Sequence, residues 1–86
     1  MGELAKLPNI GRELERQLLE YAGISTAAQL RQLGSRQAWL CIQKKDPSAC
    51  LHRLYALEGA VRGIRKQELD PQTKADLQAF FQEHRL

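Results

Sequence analysis

Residues 49–61 read Ala-Cys-Leu-His-Arg-Leu-Tyr-Ala-Leu-Glu-Gly-Ala-Val, a stretch that is apolar nearly all the way round when wound as a helix. A helix of that kind runs through the middle of a fold and is touched from several sides. Two of its residues strain against the pattern. Gly59 costs about 1 kcal/mol of helix propensity relative to alanine, which predicts that another backbone packs closely against it. Glu58 would be costly to bury without a partner. It either pairs with Arg62 one turn on, in the favourable Glu-to-Arg order, or caps neighbouring N–H groups, or serves as a binding contact.

Working outward from this segment, punctuation residues cut the rest of the chain into short helices. Asp46-Pro47 reads as the start of the central helix, about 48–63, with an acid at the cap and proline at the first helical position. The same device at Leu69-Asp70-Pro71 opens a final helix whose Leu77, Phe80 and Phe81 form one stripe. Upstream, residues 12–22 place Leu14, Leu18, Tyr21 and Ala22 along one face. Gly23 fits the left-handed position that ends a helix. Ser25 or Thr26 can cap the next one, 27–33, with Leu30 and Leu33 inward. Gly34 ends that helix and Ser35 caps another, which runs through Trp39, Leu40 and Ile42 to about Lys45. Trp39 is expected in the core, and Lys44 and Lys45 lie where the helix dipole favours cations. Residues 2–7 make a first turn or two, stopped by Pro8. No segment shows sustained strand alternation. The fold class is therefore all-α: a compact bundle of about five short helices around the central apolar one, with residues 1–86 as a single domain.

Composition narrows the function classes. The chain has 86 residues, 43% hydrophobic and 27% charged, as in an ordinary globular protein. No apolar run approaches the ~20 residues of a membrane span, and the amino terminus lacks the apolar core of a secretory signal. Cys41 and Cys50 are too few to staple a secreted scaffold, so a reduced, cytoplasmic protein is expected. The spacing Cys41, Cys50, His52 matches no structural zinc pattern, and both thiols read as buried and inert. No nucleophile elbow, His-Glu-x-x-His or Walker-type phosphate loop occurs. The sequence predicts a non-enzyme with no catalytic residue, no metal, no cofactor and no small-molecule substrate.

The stretch Leu7-Pro8-Asn9-Ile10-Gly11, between two helical segments, has the pattern of a helix-hairpin-helix turn. In DNA-binding versions two glycines flank a hydrophobic residue, so that backbone N–H groups reach a phosphate at the positive end of the next helix. Here Asn9 replaces the first glycine. Asparagine tolerates the left-handed region, but its side chain is expected to crowd the phosphate site. Charge is uneven along the chain. Residues 1–22 sum to −1, whereas residues 23–45 carry Arg31, Arg36, Lys44 and Lys45 and no acid. Positive potential is thus expected in the middle of the sequence and not beside the hairpin. Two candidate binding sets follow: the hairpin with Asn9, Ile10, Gly11 and Arg12, which on the favoured reading only joins two packed helices, and a basic set of Arg31, Arg36, Lys44, Lys45, Arg62, Arg65 and Lys66. The second makes one positive face if its members converge, and a scattered, solvated set if they do not.

Leu7-Pro8-Asn9-Ile10-Gly11, Gly23-Ile24-Ser25-Thr26, Leu30-x-x-Leu33-Gly34 and above all Leu54-Tyr55-Ala56-Leu57-Glu58-Gly59-Ala60-x-x-Gly63 resemble the C-terminal domain of TfoX/Sxy-type proteins, from about residue 3 to residue 80. The resemblance implies an all-helical fold related to helix-hairpin-helix and SAM-like domains. It also implies a role in bacterial competence, where such regulators promote transcription of DNA-uptake genes, acting with the cyclic-AMP receptor protein. These regulators usually carry an α/β domain ahead of the helical one. The expected function is a regulatory or adaptor domain acting through macromolecular contacts. Its partner is a protein (the transcription machinery or the cyclic-AMP receptor protein) or, on the alternative reading, DNA gripped by the hairpin and the basic residues. No membrane partner is expected.

Overall fold

Local signals set most helix ends. The structure is a computed structural model and describes residues 2–85. A 3-10 turn, Glu3–Lys6, is followed by α1 (Arg12–Ala22), α2 (Ala27–Leu33), α3 (Ser35–Lys45), α4 (Leu51–Arg62), a second 3-10 turn (Lys66–Glu68) and α5 (Pro71–His84). No strand occurs among the described residues. Gly23 closes α1 in the left-handed region at φ 67°, and its N–H bonds back to the carbonyls of Leu18 and Leu19. Thr26, not Ser25, caps α2: its hydroxyl accepts from the Gln29 N–H while the Gln29 side chain accepts from the Thr26 N–H, a reciprocal capping box. Asp70 caps α5 through the Thr73 N–H, with Pro71 at the first helical position.

Three sequence expectations shift. Asp46-Pro47 does not open α4. The Ala49 N–H bonds to the Asp46 carbonyl at 3.0 Å, the Asp46 carboxylate accepts from the Ser48 N–H at 3.1 Å, and Arg53 reaches back to it at 2.9 Å. This is a β-turn with proline at its second position; α4 begins only at Leu51, after Cys50. Ser35 is not a cap either. Gly34, at φ 88°, both ends α2 and precedes α3, a conformation closed to other residues, and Ser35 turns its hydroxyl to Glu58. Leu33, expected inward, faces outward at 40% exposure, while Ala27 and Leu30 are the residues of α2 that are buried.

The core forms around α4. Leu54, Leu57 and Ala60 are fully buried, as are Leu18 of α1, Leu30 of α2, Trp39 and Ile42 of α3 and Leu77 of α5. Trp39 takes Phe80 and Phe81 edge-on, with centroids at 6.2 and 5.7 Å, a favourable arrangement of ring quadrupoles. Its indole N–H donates to the Cys50 carbonyl at 3.1 Å, so the only tryptophan is satisfied in the interior. Buried Gln43 of α3 donates to the His84 carbonyl at 2.7 Å and ties down the end of α5. The radius of gyration is 11.7 Å, close to the ~12 Å expected for a compact chain of this length. All five helices share one core.

Candidate interaction surfaces

The hairpin is fixed by its asparagine. Asn9 is the only described non-glycine residue with positive φ, at 70°. That backbone turns the side chain inward, towards α4 and the 64–66 turn. Its Nδ2 donates to the carbonyls of Ala56 at 3.3 Å and Ile64 at 3.0 Å, and its Oδ1 accepts from the Lys66 N–H at 3.0 Å. The close approach predicted at Gly59 is this same junction. A Cβ built on Gly59 would meet Asn9 Nδ2, lie 2.7 Å from the Ile64 oxygen and 3.2 Å from the Lys66 nitrogen. Glycine in α4, asparagine in the hairpin and the 64–66 turn interlock. Of the rest of the hairpin, Ile10 is buried in the core. Gly11 is exposed, and a Cβ built there meets nothing within 4 Å. No side chain at Gly11 caps α1, whose first turn carries Arg12 but also Glu13 and Glu15.

The basic residues fall in several places. Lys6 and Arg65 line one polar cleft with Pro8, Asn9 and Glu68, and Lys66 lines another with Glu13, His52 and Arg53. The fold thus brings a basic pair from the 63–68 turn beside the hairpin, which the charge profile of the sequence did not suggest. Arg36 lies over the Phe80 ring, 5.8 Å from its centroid. Arg31 is exposed in the last turn of α2, as are Lys44 and Lys45 in the last turn of α3. Arg62 is held by two carboxylates, Glu58 at 2.7 Å and Asp70 at 3.5 Å.

Glu58 takes the pairing that the helix spacing suggested, with an addition. Arg62 donates to one carboxylate oxygen and the Ser35 hydroxyl to the other. Burial pushes its pKa up, but the hydrogen bonds from Ser35 and Arg62 and the Arg62 charge outweigh this, and the net shift is downward. Cys50 is exposed and Cys41 half-buried, so neither is the buried thiol expected. Among the described residues no group of three or more His, Cys, Asp or Glu side chains could hold a metal, and no helix is long and apolar enough to cross a membrane.

Sequence reasoning missed the most apolar surface feature. The 3-10 turn Glu3–Lys6 is strapped to α1 and α2 by two carboxylates: Glu15 accepts from the N–H groups of Gly2 at 3.2 Å and Ala5 at 2.9 Å, and Glu3 accepts from the Ala27 N–H at 2.9 Å. Between strap and helix lies a cleft of about 630 Å³ lined by Leu4, Leu19 and Ile24, with Arg12, Glu13, Glu15 and Arg16 along its edge. Leu19 is 56% exposed. Arg16 pairs with both Glu13 and Glu20 and stands over the Tyr21 ring. A signal was present: Leu19 lies off the Leu14–Leu18–Tyr21–Ala22 stripe, so a helix that buries that stripe leaves it outside.

Comparison with known proteins agrees with this architecture. The TfoX C-terminal domain model matches residues 1–81. A crystal structure of an uncharacterized protein from Listeria monocytogenes, triclinic form, is 48% identical, with a TM-score of 0.92 over 95% of this chain and 92% of that one. A tetragonal form of a Listeria monocytogenes protein of unknown function is 48% identical, with a TM-score of 0.91 over 94% and 98% of the two chains. No curated protein matches.

Proposed function

This chain belongs to the TfoX C-terminal domain family, and from that premise we propose that it is a non-enzymatic regulatory or adaptor module that works by docking on a protein, within the transcriptional control of DNA uptake that the family resemblance implies. The observation that carries this reading is the apolar cleft at Leu19. Exposed leucine on a cleft floor is suited to another protein's side chains and contributes nothing to a phosphate contact. Three of the thirteen basic residues are meanwhile paired with carboxylates of the chain itself: Arg62 with Glu58 and Asp70, Arg16 with Glu13 and Glu20, Arg53 with Asp46.

A second reading, direct DNA binding, draws on one specific observation: Lys6 and Arg65 share a cleft with the hairpin residue Asn9. Salt separates the two. Phosphate contacts release counterions and weaken steeply as salt rises, whereas apolar protein contact does not. Fluorescence anisotropy with short duplex DNA, at low and then moderate salt, is the test, using the wild-type chain and a Lys6→Ala/Arg65→Ala double variant. A parallel titration uses purified cyclic-AMP receptor protein. The proposal expects no DNA binding at low salt and a protein complex that tolerates salt. Tight, salt-sensitive DNA binding with no protein complex would replace it with the second reading.

A further inference from the structure

We propose that the outer face of α3 is a docking surface for an acidic amphipathic helix of a partner protein, whose carboxylates meet Arg36, Lys44 and Lys45 while its apolar side chains cover Leu40. The inference rests on the adaptor reading above and adds a second docking face with the chemistry of its occupant. The helix period supplies the surface. Ser35, Ala38, Trp39, Ile42 and Gln43 are the buried residues of α3, and they fill one side of a helix with 3.6 residues per turn. The other side holds Arg36, Gln37, Lys44 and Lys45, all exposed, with Leu40 and Cys41 half-buried among them. Arg36, Leu40 and Lys44 recur every four residues, a stripe about 12 Å long.

Charge identifies the occupant. No acid occurs between residues 23 and 45, and among the described residues Arg36, Lys44 and Lys45 take part in no ion pair. Two carboxylates lie near: Glu58, close enough to feel the Arg36 charge, and Asp46, next to Lys45 in sequence. Each is already held by another arginine, Glu58 by Arg62 and Asp46 by Arg53. A face with three cations and no acid of its own favours a partner segment bearing glutamate and aspartate.

Apolar content favours a protein over a nucleic acid. The end of α5 runs alongside the stripe: Arg36 lies over the Phe80 ring, 5.8 Å from its centroid, and Gln43 reaches the His84 carbonyl at 2.7 Å. Leu40 and Phe80 are both hydrophobics left partly uncovered at the edge of the core. The phosphates of a duplex gain nothing from them. An amphipathic helix, with apolar side chains at i, i+3, i+4 and i+7, covers such residues and carries its charges on either side.

The test is a titration of the isotopically labelled full chain, followed by amide shifts, with three synthetic peptides and a short DNA duplex. One peptide has a leucine face flanked by glutamate, and the second has the same face flanked by lysine. The third has the glutamate composition scrambled so that no leucine face forms. The glutamate peptide should shift the amides of Arg36, Leu40 and Lys44 and bind about tenfold more tightly than either other peptide. Its affinity should fall several-fold as salt rises. Arg36→Glu/Lys44→Glu should reverse the preference, so that the lysine peptide binds better. Lys44→Glu alone, at an exposed position, should weaken the glutamate peptide several-fold and keeps the test if the double variant disturbs Phe80. Lys6→Ala/Arg65→Ala should change nothing. Failure of the glutamate peptide to bind, equal binding of the lysine peptide, shifts centred elsewhere, or indifference to Lys44→Glu would overturn the inference. So would a scrambled peptide that binds equally well, or a duplex that takes the same amides more tightly, since any polyanion or a nucleic acid is then the occupant. A wild-type dimer in sedimentation that Lys44→Glu dissociates would overturn it too, in favour of a second copy. If the glutamate peptide fails but the receptor-protein complex forms regardless of Lys44, this face is wrong and the adaptor reading stands. If DNA alone binds, both fall.

Discussion

Around Gly59 three segments meet with no space for a methyl group, and every polar atom of the Asn9 side chain is used by the protein itself. Around Leu19 an apolar side chain stands more than half exposed beside an apolar cleft. Both regions lie beside α1, one at its start and one near its end. The first spends its chemistry internally, on carbonyls and an N–H some 50 residues away in sequence. The second leaves apolar area unspent at a free-energy cost. Interior satisfaction marks a joint; unspent apolar surface is what the proposed docking reading rests on.

The sharpest way to break that distinction is Gly59→Ala. Alanine gains about 1 kcal/mol of helix propensity, but its Cβ must displace the Ile64 carbonyl and the Asn9 amide together. Overpacking against backbone should leave the variant less stable by about 2–3 kcal/mol, a fall in Tm of roughly 10–20 °C by calorimetry. A variant as stable as wild type would mean that the junction gives way easily and is no joint.

Asn9→Gly comes next. Glycine keeps the left-handed turn but abandons three hydrogen bonds, leaving the Ile64 carbonyl and the Lys66 N–H short of partners, for a loss of about 1–3 kcal/mol. It also places glycine on both sides of Ile10. If the hairpin is only a joint, affinity for duplex DNA is unchanged. If it is a phosphate grip, affinity rises while stability falls, which anisotropy and denaturation measured on the same samples would reveal.

Glu58→Gln should cost about 1 kcal/mol at neutral pH, since glutamine still accepts from Ser35 but loses the charge-assisted bond from Arg62. The sign with pH follows from the lowered pKa. The folded value lies below the unfolded one, about 4.3, so the contribution is complete above that pH and disappears as pH falls through the folded value. Chemical denaturation of both proteins at pH 7 and near pH 3 should show the gap closing in acid.

How far the sequence carried the reading depends on the reach of each signal. Gly23, the Asp70-Pro71 start and the Glu58–Arg62 pair are written within four residues and were legible. The close approach at Gly59 was legible as a need, but its partner was not, because nothing local to the 7–11 hairpin points to residues 56–66. Asp46-Pro47 suits a helix start and a β-turn equally, and Arg53 together with the Trp39–Cys50 bond, both set by tertiary structure, favours the turn. The charge profile failed at the hairpin for the same reason: Arg65 and Lys66 are far along the chain and near in space.

The smallest expected effect on the fold is the most telling for function. Leu18 and Leu19 are adjacent in α1; one is fully buried and the other more than half exposed. Leu19→Gln keeps helix propensity, since leucine and glutamine are nearly equal, and removes apolar surface that the folded chain leaves to water. Its unfolding free energy should stay within about 0.5 kcal/mol of wild type, with near-identical denaturation midpoints, while association with a protein partner suffers. A stability loss on the scale of Gly59→Ala would instead show Leu19 to be part of the core in solution. The contrast between a satisfied hairpin and an unsatisfied groove would then collapse.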